Sequence, residues 1–224
     1  MKKIIFYEDF EFFYLRKPAG IASSFGKEKS FLDMIFLEKT CCVSDEFVEN
    51  QNKNFSKEDE FGLMNRLDNE TAGLLYFAKT REIADEFMVL QKTGELEKLY
   101  LADVHGDFPD GLKMVAWPIA HHKDGKEKMV VLKNSADIGT VRGKAQEALT
   151  CIEKLYYDSE KNQSTLRVVI SKGVRHQIRT HLASLGFVIV GDGLYGKNKS
   201  KDGQKMAMHL WSFGLRRKIF SNRG

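Results

Sequence analysis

Three clusters of this 224-residue chain carry side chains that could do chemistry. The first lies in NRLDNETAGLLYFAK, residues 65–79, where Arg66 and Asp68 stand two apart before a polar turn and an apolar run. In an extended segment side chains alternate, so Arg66 and Asp68 project to the same face. Asn69, Glu70 and Gly73 make a turn, and Leu74 to Ala78 bury behind it, so a rigid strand can hold Asp68 at its junction. That placement makes Asp68 a candidate carboxylate for acid–base or nucleophilic work. The ordinary alternative is an Asx-type turn carboxylate, and local sequence alone favours it. A calcium loop is excluded, because Ala72 stands where an oxygen ligand is needed and Lys79 where the bidentate glutamate belongs.

The second cluster is RHQIRTH, with Arg175, His176, Arg179 and His181. On a helix Arg175 and Arg179 are one turn apart and share a face suited to carboxylates or phosphates, although a solvated basic face is common. His176 and His181 would diverge by about 140° on a helix, and His121 and His122 point to opposite sides of a strand, so no metal site is expected. The third is KLYLADVHG, where Tyr100 is either a stacking surface and proton acceptor or a core tyrosine. GDGLYG matches neither G-x-x-x-x-G-K-[ST] nor G-x-G-x-x-G with a following helix, and G-x-S-x-G and H-E-x-x-H are absent.

The elements that must position these residues read as many strands and few helices. IIFYED and EFFYLRK are strands closed by the turn KPAG. Ser30 caps a short helix through FLDMIFLEK. The polar, acidic stretch 44–60 reads as a long loop or partly disordered insertion. Thr80 caps a helix through REIADEFMVLQKT that Gly94 stops. KLYLADVHG is a strand with Leu99, Leu101 and Asp103 on one face and Tyr100, Ala102 and Val104 on the other. MVVLK is a strand, EALTCIEKLYYD and STLRVVIS form an antiparallel pair, and HQIRTHLASLG is a helix with Gly186 at C′. FVIVGD reads as a buried strand, and MAMHLWSFGL as a further one. The sum is an α+β fold with a mixed, mainly antiparallel sheet.

Composition bounds the reading. Hydrophobic residues at 42% and charged residues at 29% are an ordinary globular balance, sufficient for one domain or a domain split into two lobes. No apolar run approaches a membrane span, and the charged start lacks a secretory h-region. Cys41, Cys42 and Cys151 cannot all pair, which points to a reducing cytoplasm. Segment 44–60 has six acids and two lysines, a net of −4 against the chain's +4, so the remainder carries +8. A basic body with an acidic excursion suits a polyanion such as RNA, and a lysine-rich soluble surface would look the same.

Taken together and in order, KPAGIASS, NRLDNETAGLLYFAKT, KLYLADVHG, RHQIRTHLASLG, VIVGDGLYG and MHLWSFGL resemble the RluA-type family of pseudouridine synthases, from about Tyr7 to Leu215. Small-subunit-type synthases also carry an R-L-D block, but HQIRTHLASLG and KLYLADVHG fit the RluA type better. The resemblance implies a single catalytic domain over 1–224 with two lobes around a central cleft. It implies that Asp68 is the catalytic aspartate, that Tyr100 stacks on the target base, and that Arg179 pairs with the catalytic carboxylate. Arg66 would fill the gap left by the extruded base, and Arg175, His176, Gln177 and Ile178 would contact RNA. Asn65 stands where the family often has histidine, and Ala72 where it usually has serine.

The partner so implied is transfer RNA or ribosomal RNA with its target uridine flipped into the cleft. Conversion of uridine to pseudouridine breaks N1–C1′ and rejoins the ring through C5, an isomerisation that calls for no metal, redox cofactor or nucleotide. The expected form is a cytoplasmic monomer without the small RNA-binding domain that often precedes the catalytic one. A catalytically silent RNA-binding protein is the alternative, and the Asp68, Tyr100 and Arg179 set speaks against it. A glycosidase would need a second acid near the first, and none stands out.

Overall fold

A computed structural model describes residues 5–26, 28–39, 43–124, 127–196 and 208–217; Cys41, Cys42 and the 197–207 stretch lie outside them. In chain order the strands and helices are β1 (Ile5–Glu8), β2 (Phe12–Lys17), α1 (Asp45–Asn54), β3 (Ala72–Ala78), α2 (Arg81–Thr93), β4 (Leu96–His105) and β5 (Leu112–Val115). There follow β6 (Ile119–His122), β7 (Met129–Val131), β8 (Val141–Gln146), β9 (Thr150–Asp158), β10 (Gln163–Ile170), α3 (Gln177–Ser184) and β11 (Leu210–Arg217). The described residues pack as two compact units, one of those up to 96 with 211–214, the other of those between 97 and 210 with 215–217. No helix among the described residues is long and apolar enough to cross a membrane.

In the first unit β1, β2 and β3 form an antiparallel ribbon, and Trp211 and Ser212 of β11 run parallel to Ala72 and Gly73. This contact dictates a residue type. Gly73 has φ +132°, and a Cβ there would lie 2.4 Å from the backbone nitrogen and oxygen of Ser212, so only glycine lets the strands meet. Tyr76 is fully buried, its hydroxyl donating to the Gly214 carbonyl at 2.8 Å, and burial pushes its pKa up to about 12.

Ser30 caps as its position suggests: its backbone N–H donates to the Asp33 carboxylate and its hydroxyl accepts from the Asp33 N–H. The turn it opens is π-helical over Asp33–Leu37. Thr80 caps α2 by accepting from the Ile83 N–H, and Gly94 ends it at φ +79°.

Segment 44–60, expected to be a loop throughout, is helical over residues 45–54. It forms α1, whose N-cap Ser44 accepts from the Phe47 N–H, with Asp45 and Glu46 in the first turn and Lys53 in the last. Its buried residues, Phe47 and Gln51, are four apart on one face. Phe47 packs edge-on against Phe13 and Phe77. Gln51 donates to the carbonyls of Phe61 and Ala78 at 2.7 and 3.0 Å. A polar helix that buries one apolar ring and one amide has the composition of a loop.

In the second unit β4, β10, β9 and β5 are joined by antiparallel pairings. Along β4 every second residue from Leu96 to Val104 is buried, which sets Tyr100 inward beside Lys98 and Ala102. β6 pairs with β7 and β8, and Ile119, Met129, Ala148 and Val174 form a compact apolar core there. The α3 helix ends in a Schellman arrangement: Gly186, at φ +90°, donates to Ala183, and Phe187 donates to Leu182.

FVIVGD is a correction. Its backbone joins the edge of β4 through His105 N–H to Val188 and Val190 N–H to Asp103, but makes only the isolated bridge Val104–Ile189. The Asp192 N–H already turns back to the Ile189 carbonyl, leaving no length for a strand. The mixed, mainly antiparallel α+β architecture stands.

Candidate active site

The R-L-D segment, 65–68, belongs to no strand and leads into a turn at Asn69, so its backbone groups need partners from elsewhere. Side chains supply them. The buried Asn65 takes the place of a ladder on β3, its amide oxygen accepting from the Tyr76 N–H at 2.8 Å and its nitrogen donating to Leu74 at 3.2 Å. The Ser23 hydroxyl, also buried, accepts from the Leu67 N–H and donates to the Leu67 carbonyl, both at 2.9 Å. The Asn69 carbonyl accepts from the Gly20 N–H at 2.7 Å and from Lys17 Nζ at 3.1 Å. The Asp68 carbonyl closes a turn by accepting from the Thr71 N–H. Asp68 is thus fixed through its backbone on both sides while its side chain stays half-buried.

Lys17 ends the strand EFFYLRK and opens the turn KPAG, and the structure gives it a larger task. Fully buried at the end of β2, its ammonium donates to the carbonyls of Pro18 and Ile21 at 2.9 and 2.8 Å as well as to Asn69. Burial lowers its pKa to about 8, against the pull of the Asp68 and Glu70 charges. The signal was present: Phe13, Leu15 and Lys17 alternate inward along one strand. The blocks KPAGIASS and NRLDN are two halves of one brace.

Arg66 lies on the same side of the segment as Asp68, since Asn65 and Leu67 are buried and these two are not. Its guanidinium forks onto Glu60, Nε to Oε2 at 3.2 Å and one terminal nitrogen to Oε1 at 3.0 Å. Nothing in the linear order of residues pairs these two.

In the second unit Tyr100 is buried at mid-β4, opposite Val168 of β10. Lys98, two residues earlier on the same face, is buried too, and burial lowers its pKa to about 8. Arg179, in the first turn of α3, forks onto Asp192 with Nε–Oδ2 at 2.8 Å and a terminal nitrogen to Oδ1 at 2.9 Å. Both members are buried, at 6% and 1% side-chain exposure. Asp192 Oδ1 also accepts from the N–H groups of Leu194 and Tyr195. Burial alone would raise the Asp192 pKa, but these bonds and the Arg179 charge outweigh it and hold the carboxyl below its ordinary value. GDGLYG is therefore an arginine clamp. The Tyr195 ring lies 5.3 Å from the Arg179 guanidinium, and its hydroxyl accepts from the Met129 N–H and contacts His176 Nδ1.

The basic helix face expected for Arg175 and Arg179 does not form. α3 begins at Gln177, and His176 is its cap with φ +54°, a left-handed conformation rare for a residue with a side chain. Arg175 is left exposed outside the helix while Arg179 is buried within it.

Gln177 and Ile178, expected as RNA contacts, are 2% and 4% exposed. The Gln177 amide accepts from the Val174 N–H and donates to the Leu149 carbonyl and the Thr150 hydroxyl, so its polar atoms serve the fold. His181 is likewise internal: its Nε2 donates to the Trp117 carbonyl, which leaves Nδ1 to accept from the Thr150 hydroxyl. Burial lowers its pKa. No group of three or more potential metal ligands occurs among the described residues.

Comparison with known proteins agrees with these blocks. The profile of a family described as RNA pseudouridylate synthase matches residues 11–184. Ribosomal large subunit pseudouridine synthase C of Buchnera aphidicola subsp. Acyrthosiphon pisum is 31% identical over 196 residues, 87% of this chain and 54% of that protein. Ribosomal large subunit pseudouridine synthase D of Pseudomonas aeruginosa is 31% identical over 135 residues, 60% of this chain and 38% of that protein. The chain spans about half the length, or less, of the curated relatives it matches. Among solved structures, human RNA pseudouridylate synthase domain containing 1 aligns with a TM-score of 0.67 at 19% identity, covering 98% of this chain and 80% of that one. Human RNA pseudouridylate synthase domain containing 4 aligns at 0.65 with 21% identity, covering 94% and 82%. At these identities the likeness is one of fold. With the profile running from β2 through α3, across the braced R-L-D segment and the clamped H-Q-I-R block, this chain belongs to the RNA pseudouridylate synthase family and is of the RluA type.

Proposed function

We propose that the chain isomerises uridine to pseudouridine in RNA, with Asp68 as the catalytic carboxylate. The observation that carries this reading is the brace around Asp68: Ser23, Gly20 and Lys17 fix the backbone on either side of a half-buried side chain. A turn carboxylate needs no such support, whereas a group that must meet one atom of a flipped base does. The target nucleotide leaves its stack, and Tyr100 offers a ring for the base to lie against. Asp68 then acts at C6 of the ring or at C1′, or helps remove the C2′ proton, as N1–C1′ breaks and C5–C1′ forms.

Arg179 supports the ionised form of Asp68. Its fork onto Asp192 fixes the guanidinium plane, and a fixed cation favours the charged form of a neighbouring carboxyl. Tyr100 assists loss of the C5 proton to solvent, directly or through water. Arg66 and the exposed Arg175 contact phosphate or fill the place of the extruded base. Two relatives named for the ribosomal large subunit make its RNA the first substrate to test, with transfer RNA second.

The test is tritium release from C5-tritiated uridine in large-subunit ribosomal RNA and transfer RNA transcripts. The wild-type protein releases tritium, and Asp68→Asn reduces the rate by at least about 10²–10⁴-fold, the range for loss of a positioned catalytic group. RNA affinity stays within a few-fold. Equal rates for D68N and wild type, or no release from any transcript, would overturn the reading.

A further inference from the structure

Glu60 is the last residue of the acidic segment 44–60, and its carboxylate holds the guanidinium of Arg66, two positions before Asp68. The Arg66 side chain is 68% exposed and that of Glu60 only 21%, so the acid is the anchored member and the arginine the accessible one.

The backbone that presents Glu60 is unusual. Glu60, Phe61 and Gly62 have φ of +51°, +52° and +76°, three left-handed residues in succession, two of them with side chains. Core packing enforces this turn. Phe61 stacks on Phe36 at 4.0 Å, and Gln51 of α1 donates to the Phe61 carbonyl at 2.7 Å. A Cβ on Gly62 would lie 2.8 Å from the Phe55 ring and 2.9 Å from the Gln51 amide. Such strain persists only where surrounding structure over-determines it, and its product here is the placement of one carboxylate.

The neighbouring residues follow the same pattern. Asp59 pairs with Arg81, and both arginines line a groove of about 400 Å³ with Phe55, Met64 and Met88. Each cation of this groove is thus met by an acid of residues 59–60.

We propose that Glu60 is a specificity-determining residue that parks Arg66, so that RNA must displace a carboxylate before it can use this arginine. A phosphate accepts the same fork as a carboxylate, so the two compete for one guanidinium. The pair is exposed, which keeps the exchange easy: structured RNA that offers Arg66 several contacts displaces Glu60, and an unstructured strand offering one phosphate does so poorly. The inference rests on the RNA reading above.

Binding of the full chain to an oligouridine and to a uridine-bearing ribosomal RNA hairpin, titrated over salt, tests it. Glu60→Gln tightens oligouridine binding by about two- to fivefold, the factor an exposed ion pair can supply. The salt slope for this single strand steepens by about 0.7, one further phosphate. Hairpin affinity moves less, so discrimination between the two RNAs falls. Glu60→Asp keeps the charge but is too short to fork, and it tightens oligouridine binding partway. Glu58→Gln, whose side-chain partner is Ser56, makes the same charge change without touching Arg66 and has no such effect. In an Arg66→Ala background Glu60→Gln changes nothing.

A Glu60→Gln protein that binds both RNAs as wild type does would overturn the proposal. So would an equal response to Glu58→Gln, or an affinity loss like that of Arg66→Ala. If the wild-type chain binds neither RNA, the functional reading falls and takes the parked arginine with it. If it binds and only Glu60→Gln is silent, the functional reading stands without it.

Discussion

Arg66 and Arg179 each grip one carboxylate through two nitrogens, in different units of the chain, and the grips differ in kind. Arg179 and Asp192 are both almost wholly buried, and two backbone N–H groups also satisfy the carboxylate. Arg66 stands mostly in solvent on a partly covered Glu60. Where water is excluded the Coulomb attraction is strong, but so is the penalty for removing one partner. Where water enters, the attraction is screened and the pair can exchange. One fork is suited to hold a cation still, the other to release it.

The largest expected effect comes from the buried fork. Asp192→Ala takes the forked carboxylate from the buried Arg179 guanidinium, and denaturant titration at neutral pH should show a loss of about 3–5 kcal/mol. A loss below about 1 kcal/mol would make the two forks alike. The same pair has a pH signature. The folded Asp192 carboxyl lies below its ordinary 3.8, so its contribution is complete above that value and vanishes as pH falls through the folded pKa. The stability gap between wild type and the near-isosteric Asp192→Asn should therefore be widest at neutral pH and close under acid conditions. A constant gap would mean that charge is not what Asp192 supplies.

Of intermediate size is Ser23→Ala, which leaves the Leu67 N–H and carbonyl without their shared partner. Thermal or chemical unfolding should register about 1–3 kcal/mol. Pseudouridine formation should lose kcat rather than RNA affinity, because Asp68 loosens while phosphate contacts remain. Equal effects on kcat and affinity would count against a brace specific to Asp68. The smallest change is expected for Arg66→Ala, about 0–1 kcal/mol in stability and less at high salt. A larger, salt-insensitive loss would show that Arg66 is a structural arginine like Arg179.

Much of the fold is legible in the sequence. Ser30, Thr80, Gly94 and Gly186 mark the helix ends because capping is local, decided by one side chain or one φ angle. β4 alternated as expected because strand burial has period two. The failures have causes as particular. α1 has the sequence of a loop because half of its buried face is an amide, Gln51, whose value depends on carbonyls 10 and 27 residues away. The spacing of Arg175 and Arg179 suggests one helix face because nothing in RHQIR announces the left-handed turn at His176.

The candidate site divides along the same line. Ordered blocks of residue types single out Asp68, Tyr100 and Arg179 as candidates, because block order is a property of the linear chain. The order of the blocks and the alternation of strands also carried the family and the α+β class, since both depend on local pattern. How the residues are held depends on partners outside their own blocks: Lys17 on Asn69, Ser23 on Leu67, Asp192 on Arg179 and Glu60 on Arg66. Each is a hydrogen bond or charge pair fixed by the path of the folded chain, and a carboxylate or ammonium in a linear string does not announce its partner. Whether an arginine is locked or available follows from the water around it, and that exclusion of water is a property of the packed molecule.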